Sequence, residues 1–288
     1  MSIKHNLFSF SYYPLSAYEK LGKLFNVDNN KLRVLLLHDI PKNMFSRYEN
    51  ILRWLSKEWD FISPAEFSEI LENKKVTGKK ILLTFDDGFI SDYYFSKEIL
   101  NPMGIKALHF IITDYLNISN NKSSYDFLIN NLYPKWIGES IPSHKNELVN
   151  MRLEHIKFLI DSGHEIGYHT KSHQRLSSIS SEKNLVVEII DGANQLESII
   201  DKEIKHFAYS FGDLESFSKD AFNIAQTRFK YIYTGMRGNN ASTLDRFSIR
   251  RDTIGSNFSN RLIGSFLYGA ADLLYKNNFK LYNKWYNN

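Results

Sequence analysis

Two stretches of the chain carry ionisable side chains in a pattern that fits one reaction. The first is Ile81-Leu82-Leu83-Thr84-Phe85-Asp86-Asp87-Gly88. Its apolar run reads as a buried strand that ends at a functional mouth with two adjacent carboxylates. Like charges side by side in a partly dry site oppose each other's ionisation, and a metal ion resolves that conflict. An Asp-Gly turn closing a hairpin is the other reading of the same residues. The second stretch, Gly163-His164-Glu165-Ile166-Gly167-Tyr168-His169-Thr170-Lys171-Ser172-His173, favours the metal. His169 and His173 are four apart, a spacing that one helical turn would bring onto one face. Together the stretches offer one carboxylate and two imidazoles as ligands and leave one carboxylate as a base. That is a hydrolytic metal site with a position open to water.

Thr84-Phe85-Asp86-Asp87-Gly88 and His169-Thr170-Lys171-Ser172-His173 resemble the first two motifs of the polysaccharide deacetylases, metal-dependent carbohydrate esterases that share the NodB homology domain. The resemblance spans about residues 32 to 255. It implies that Asp87, His169 and His173 hold the metal, zinc first among candidates with cobalt, nickel and iron also suited, and that Asp86 is the general base. The two aspartates cannot be told apart from the sequence alone. The implied reaction removes an acetyl group from an amino or hydroxyl group of a sugar, the metal polarising the acyl carbonyl and a water whose proton Asp86 takes. A backbone N–H beside the metal would help to stabilise the oxyanion.

An acid must protonate a leaving amine, and His38 is expected in that role. Many members of the family carry this histidine in a Leu-x-His motif late in the domain, yet no histidine follows His206. Leu35-Leu36-Leu37-His38-Asp39 and Phe207-Ala208-Tyr209-Ser210-Phe211-Gly212 instead resemble the variant that acts on poly-N-acetylglucosamine. Asp39 and Tyr209 are therefore candidate supporting residues. Ser210 stands where proline is usual, and Ala208 where an arginine usually holds the catalytic aspartate. Arg250 or Arg251, near the end of the last expected strand, could supply that charge from elsewhere. The remaining histidines read as structural: His109 and His164 within or beside strands, and His5, His144, His155 and His206 at the surface.

Parallel β/α folds gather functional groups at the C-terminal ends of strands, and His38, Asp86, Asp87 and His169 all lie where an expected strand stops. The first strand is Arg33 to Asp39, continuously apolar as a strand covered on both faces should be. A helix over Met44 to Trp59 follows, and Ser63-Pro64-Ala65-Glu66 caps another. Later come a helix over Ser91 to Leu100, a strand over Ile105 to Thr113, and helices over Met151 to Ser162 and Glu182 to Ile200. A strand over Lys205 to Phe211, a helix capped by Asp213, and strands at Tyr231 to Thr234 and Ser248 to Ile254 complete the series. This alternation predicts an irregular (β/α) barrel of about seven parallel strands, as the family resemblance also implies. The expected domain is 32–255, preceded by an extension at 1–31 and followed by a helical tail at 256–288. The weakly periodic stretch at about 114–148, with Tyr133 and Trp136, reads as an insertion that sets the substrate.

With 288 residues and 43% hydrophobic side chains the chain can bury a substantial core. Its 36 basic and 32 acidic residues form no concentrated block, which argues against nucleic acid as a partner. The absence of cysteine excludes disulfides and thiol chemistry. Neither a secretory signal nor a membrane span is legible, so a cytoplasmic protein is expected. The tail, with Ile263, Phe266, Leu267, Leu273, Leu274, Phe279, Leu281 and Trp285 among lysines, should pack on the barrel or rest on a membrane surface. Two other functions compete with sugar deacetylation: a carbohydrate-binding protein without turnover, and a deacylase of a non-sugar amide.

Overall fold

The run from Leu32 to Leu37 lacks polar alternation because both faces of its strand are covered. The structure, a computed structural model, describes residues 3–24, 30–132 and 148–285. Its strands are β1 (Lys31–Leu37), β2 (Asp60–Phe61), β3 (Lys79–Phe85), β4 (Ala107–Ile111), β5 (Glu165–Tyr168), β6 (His206–Ala208), β7 (Tyr231–Tyr233) and β8 (Asp252–Thr253). They lie in the order β7-β6-β5-β4-β3-β1-β8, with β2 paired to β3 beside that path. Every one of these pairings is parallel.

The last strand departs from expectation. An unbroken strand over Ser248 to Ile254 is predicted, but Ile249 bridges Tyr233 on one side while Asp252 and Thr253 pair with Leu35 and Leu36 on the other. Between them the Asn240 side chain accepts the Arg250 backbone N–H and donates to the Arg250 carbonyl, satisfying groups that a ladder would otherwise take. This split segment joins β7 back to β1, and the sheet curls into an irregular barrel.

The period-two alternation of the strands separates two cores. Leu35, Leu37, Ile81, Leu83 and Phe85 point outward, against Phe45, Tyr48, Ile51, Leu52 and Leu55 of α2 (Phe45–Leu55). Val34, Leu82, Leu108, Phe110 and Tyr233 point inward, where Phe67 and Leu71 of α3 (Pro64–Asn73) pack with them. Ser63 and Glu66 form the expected reciprocal cap of α3.

The other helices enclose the sheet. After β3 come α4 (Ile90–Phe95), which runs on as a π-turn to Leu100, and after β4 the short α5 (Thr113–Leu116) and α6 (Asn121–Phe127). The last two, with a π-turn to Leu132, fill the first part of the expected insertion; Tyr133 and Trp136 fall outside the described residues. Helix α7 (Leu153–Asp161) precedes β5. Next, α8 (Glu182–Val186), a π-turn over Val187–Asp191 and α9 (Gly192–Ile200) form one rod that buries Leu185, Ile189, Ala193, Leu196 and Ile200, as predicted. Helix α10 (Lys219–Arg228) is capped by Ser218 and not by Asp213. Asp213 instead closes a turn, taking the Glu215 N–H on its side chain and the Ser216 N–H on its carbonyl.

The tail packs on the barrel through α11 (Asn260–Leu267), with Leu262, Ile263 and Leu267 fully buried, and through Phe279 and Tyr282 of α12 (Lys276–Asn283). Leu273, Leu274 and Leu281 of the same tail stay exposed. Across α11 lies the first helix of the chain, α1 (Ile3–Leu24), joined by Phe8 against Phe266 and Tyr12 against Tyr268 and Trp54. No described helix is long and apolar enough to cross a membrane.

Candidate metal centre

Neighbouring residues on a strand face opposite ways, so Asp86 and Asp87 would diverge if β3 ran straight on. It does not. Asp87 adopts φ 75° and Gly88 φ 86°, a left-handed step that carries both carboxylates to the mouth of the barrel. A Cβ on Gly88 would also press against Ile111, 3.1 Å away. Positive φ at a non-glycine residue is a strained choice that usually marks function. Thr170 and His173 share it, at 66° and 62°.

Those two residues correct the reading of the histidine pair. His169 and His173 are not on a helix; they lie in the loop that follows β5. The loop is folded back by Thr170, whose Oγ1 accepts the His173 N–H, and the two imidazoles come to 5.2 Å between ring centres. A four-residue spacing thus produces a convergent pair by a loop geometry that periodicity does not describe.

The convergence is tight. Asp87 Oδ1 lies 3.4 Å from His169 Nε2 and 3.5 Å from His173 Nε2, and all three side chains are buried. The opposite ring nitrogens face backbone carbonyls: His169 Nδ1 is 2.9 Å from the Ala208 carbonyl and His173 Nδ1 3.2 Å from that of Asn131. Each Nδ1 donates there, which leaves each Nε2 with its lone pair aimed at the carboxylate. Asp87 Oδ1 has no hydrogen-bond donor of its own. Three possible ligand atoms within 4.8 Å of one another, on buried side chains, fit a divalent cation.

Asp86 sits beside this group, its Oδ2 3.6 Å from His169 Nε2. Its partner is Arg251, fully buried, whose two terminal nitrogens donate to Oδ1 at 2.6 Å and Oδ2 at 2.9 Å. Arg251 is fixed in turn by the Thr234 carbonyl and lies over the Phe110 ring. The charge that Ala208 cannot supply therefore comes from across the barrel. Arg250 takes no part, because its guanidinium lies over Phe279 and donates to the Asn239 carbonyl.

Burial alone would raise the Asp86 carboxyl, but Arg251 and then His169 hold it below the usual carboxylate range. For Asp87 burial is again opposed, by the facing His169 and His173 imidazoles and by His38, and the pKa falls to about 2. Burial would lower His169, yet Asp86 and Asp87 draw it above 6.5; burial takes His173 down to about 4. His38 is half-buried immediately past the end of β1, within electrostatic reach of both aspartates. Asp39 accepts a 2.8 Å hydrogen bond from Ser91 and ties the loop after β1 to α4. Tyr209 is turned away from the mouth: its ring stacks on Phe217 and its hydroxyl faces that of Tyr282 in the core.

A model of the polysaccharide deacetylase family matches residues 73–229, more than half of the chain. This chain belongs to the polysaccharide deacetylase family. YxkH of Bacillus subtilis (strain 168), whose name places it in the same family, is 25% identical over 189 residues, covering 63% of this chain and 57% of its own length. This chain thus spans little more than half of that curated relative. A Streptococcus pyogenes deacetylase, PplD, solved with acetate, superposes with a TM-score of 0.63 at 20% identity, over 82% of this chain and 98% of the other. IcaB from Ammonifex degensii superposes with a TM-score of 0.66 at 19% identity, over 84% and 99%. At these identities the two structures establish the common fold: parallel strands curled into a partial barrel.

The family match includes Asp86, Asp87, His169 and His173 but ends before Arg251 and begins after His38. Two further residues of the centre carry no motif. Glu188, buried on the π-turn between α8 and α9, accepts the Ser172 N–H and hydroxyl on its carboxylate. Its carbonyl takes the Lys171 N–H and the Tyr168 hydroxyl, so one residue pins the whole histidine loop. From the expected insertion, Asn131 donates its side-chain amide to the Ser172 carbonyl and offers its own carbonyl to His173. A buried acid beside an apolar helical stripe was the available signal for Glu188; Asn131 had none.

The structure also corrects His206. It is fully buried, with Nδ1 2.8 Å from the Tyr233 hydroxyl and Nε2 3.1 Å from Glu165. His109 and His164 are buried structural residues, on Ser96 and on Asn101 with the Ala107 N–H respectively. His155 caps α7 through the Arg152 N–H.

Proposed function

We propose that this chain removes an acetyl group from an amino or hydroxyl group of an acetylated sugar, with a divalent metal held by Asp87, His169 and His173. The observation that carries the reading is the buried, donorless Oδ1 of Asp87 facing two imidazole nitrogens whose rings are locked by backbone carbonyls. A bound divalent cation would supply a Lewis acid for the acyl carbonyl and for a water. Zinc, cobalt, nickel and iron all suit two imidazoles and one carboxylate.

The chain's own groups fit the proton transfers. Asp86 is kept ionised and is aimed by the two-pronged Arg251 contact, so its carboxylate accepts the proton that an attacking water gives up. The two-pronged contact of Arg251 prevents the carboxylate from rotating away. His38 follows the end of the neighbouring strand β1, within electrostatic reach of both aspartates, and donates the proton that a leaving nitrogen requires. The catalytic unit in this reading is residues 32–255, with 1–31 an extension and 256–288 a helical tail. The acetate bound to PplD and the polysaccharide in the family's name support an acetylated glycan as substrate.

The test compares metal content of the wild type, His169→Ala and Asp86→Asn, and acetate release from chitooligosaccharides after reconstitution with zinc or cobalt. About one equivalent of metal is expected in the wild type and Asp86→Asn, and little in His169→Ala. Turnover is expected in the wild type alone. Absence of metal in the wild type, or metal without acetate release from any acetylated sugar, refutes the reading.

A further inference from the structure

Helix α1 buries one side against α11 and leaves the other open to solvent among the described residues. That open side is apolar at the described positions from Phe10 to Leu21. Phe10, Tyr13, Pro14, Ala17, Tyr18 and Leu21 are all exposed. The large ones among them are open by 77% at Phe10, 54% at Tyr13, 64% at Tyr18 and 53% at Leu21. At 100° per residue these six positions fall within one contiguous stripe, and no ionisable carboxylate or ammonium lies inside it. Exposed large apolar side chains are ordinary singly; a continuous row of them on one helix is not.

The distribution of charge indicates what covers the row. Lys4, Lys20 and Lys23 against Glu19 give α1 a net charge of +2. Arg261, Lys276, Lys280 and Lys284 against Asp272 give residues 256–288 a net +3. The whole chain carries only +4, so everything else sums to −1. All the net positive charge thus belongs to α1 and to the tail, of which α11, carrying Arg261, packs against α1. Arg261, on α11, lies over the ring of Tyr13 at the border of the stripe. The tail adds its own exposed apolar pair, Leu273 and Leu274, at 78% and 67%.

From this juxtaposition we infer that the outer face of the basic helix α1, bordered by Arg261 of α11, docks on the surface of an anionic lipid bilayer. The aromatic and aliphatic row enters the boundary between headgroups and acyl chains, and the surrounding cations meet the anionic headgroups. Tyrosine and phenylalanine suit that boundary, which is wet on one side and apolar on the other. The inference stands on α1 and the tail segment packed against it, and not on the deacetylase reading.

Co-sedimentation of the full chain with vesicles of phosphatidylcholine, with and without phosphatidylglycerol, tests it. Binding to the anionic vesicles is expected, falling roughly tenfold or more when salt is raised well above physiological strength, with little binding to phosphatidylcholine alone. Phe10→Asp combined with Leu21→Asp should reduce that binding by at least about tenfold. Metal content and the thermal midpoint should stay unchanged, since both side chains are solvent-exposed. No binding of the wild type, equal binding to neutral vesicles, or undiminished binding of the double variant would each overturn the inference. So would a dimer in light scattering that the double variant dissociates, because the face would then belong to a second copy.

Discussion

Asp86 and Asp87 are adjacent and chemically identical, and their neighbours give them different work. Asp87 faces two imidazole lone pairs and has no donor; Asp86 is gripped by a guanidinium through both oxygens. Arg251→Met should leave Asp86 as an uncompensated buried charge. The expected loss is about 3 kcal/mol of stability, read from denaturant midpoints, and the remaining folded enzyme should lose kcat more than it gains in KM. Arg251→Lys restores the charge without the second hydrogen bond, so it should recover stability better than turnover. Metal content should change little in either variant, so a loss of turnover would trace to Asp86 and not to lost metal.

Among the elements, the π-turn between α8 and α9 does what a regular helix could not. The extra residue places Glu188 where its carboxylate and its carbonyl both reach the histidine loop. Glu188→Ala should weaken metal binding by roughly 10–100-fold in a competition with a chelator, because the loop that presents His173 loses its anchor. For comparison, Ser63→Ala should cost about 1 kcal/mol by removing the α3 cap and should leave metal affinity unchanged. Close packing of β5 on β4 explains Gly167: a Cβ there would lie 2.5 Å from the Phe110 ring, so any larger residue would push β5 off β4 and displace His169. Gly167→Ala is expected to lose metal as well as stability.

For the molecule as a whole, acid should act through histidines far from the mouth. Burial lowers His164 to about 4 and takes His109, also pressed by His164, well below 6.5. Both are neutral when folded and take up protons when unfolded, so the unfolded state gains protons as pH falls from about 6.5 toward 4. Their contribution is complete above 6.5 and is lost across that window, by about 3 kcal/mol for His164 alone. Urea midpoints measured between pH 7 and 4 should therefore fall, and His164→Gln should flatten the fall. A pH-independent midpoint over that range would contradict the assignment of His164 as a neutral buried side chain.

Local chemistry determined much of this protein at the level of sequence. Unbroken apolar runs specify strands covered on both faces, so parallel strands were legible from Val34 to Leu37 and Ile81 to Leu83 without any contact being known. The Asp-Asp and His-x-x-x-His motifs, each at a strand end, were enough to name the three side chains that could hold a metal. What tertiary structure decided were the matters that involve partners distant in the chain. Nothing in Arg250-Arg251 distinguishes two adjacent arginines; the split of the last strand around Asn240 turns one toward Asp86 and the other toward Phe279. Nothing in the Phe207-Ala208-Tyr209 stretch shows that the Ala208 carbonyl orients His169 while the Tyr209 ring is lost to the core. His206 looked like a surface residue because its partners, Glu165 and Tyr233, lie on two other strands. Periodicity reports which face of an element is apolar; the identity of what stands opposite a polar group on that face is set only when the chain closes on itself.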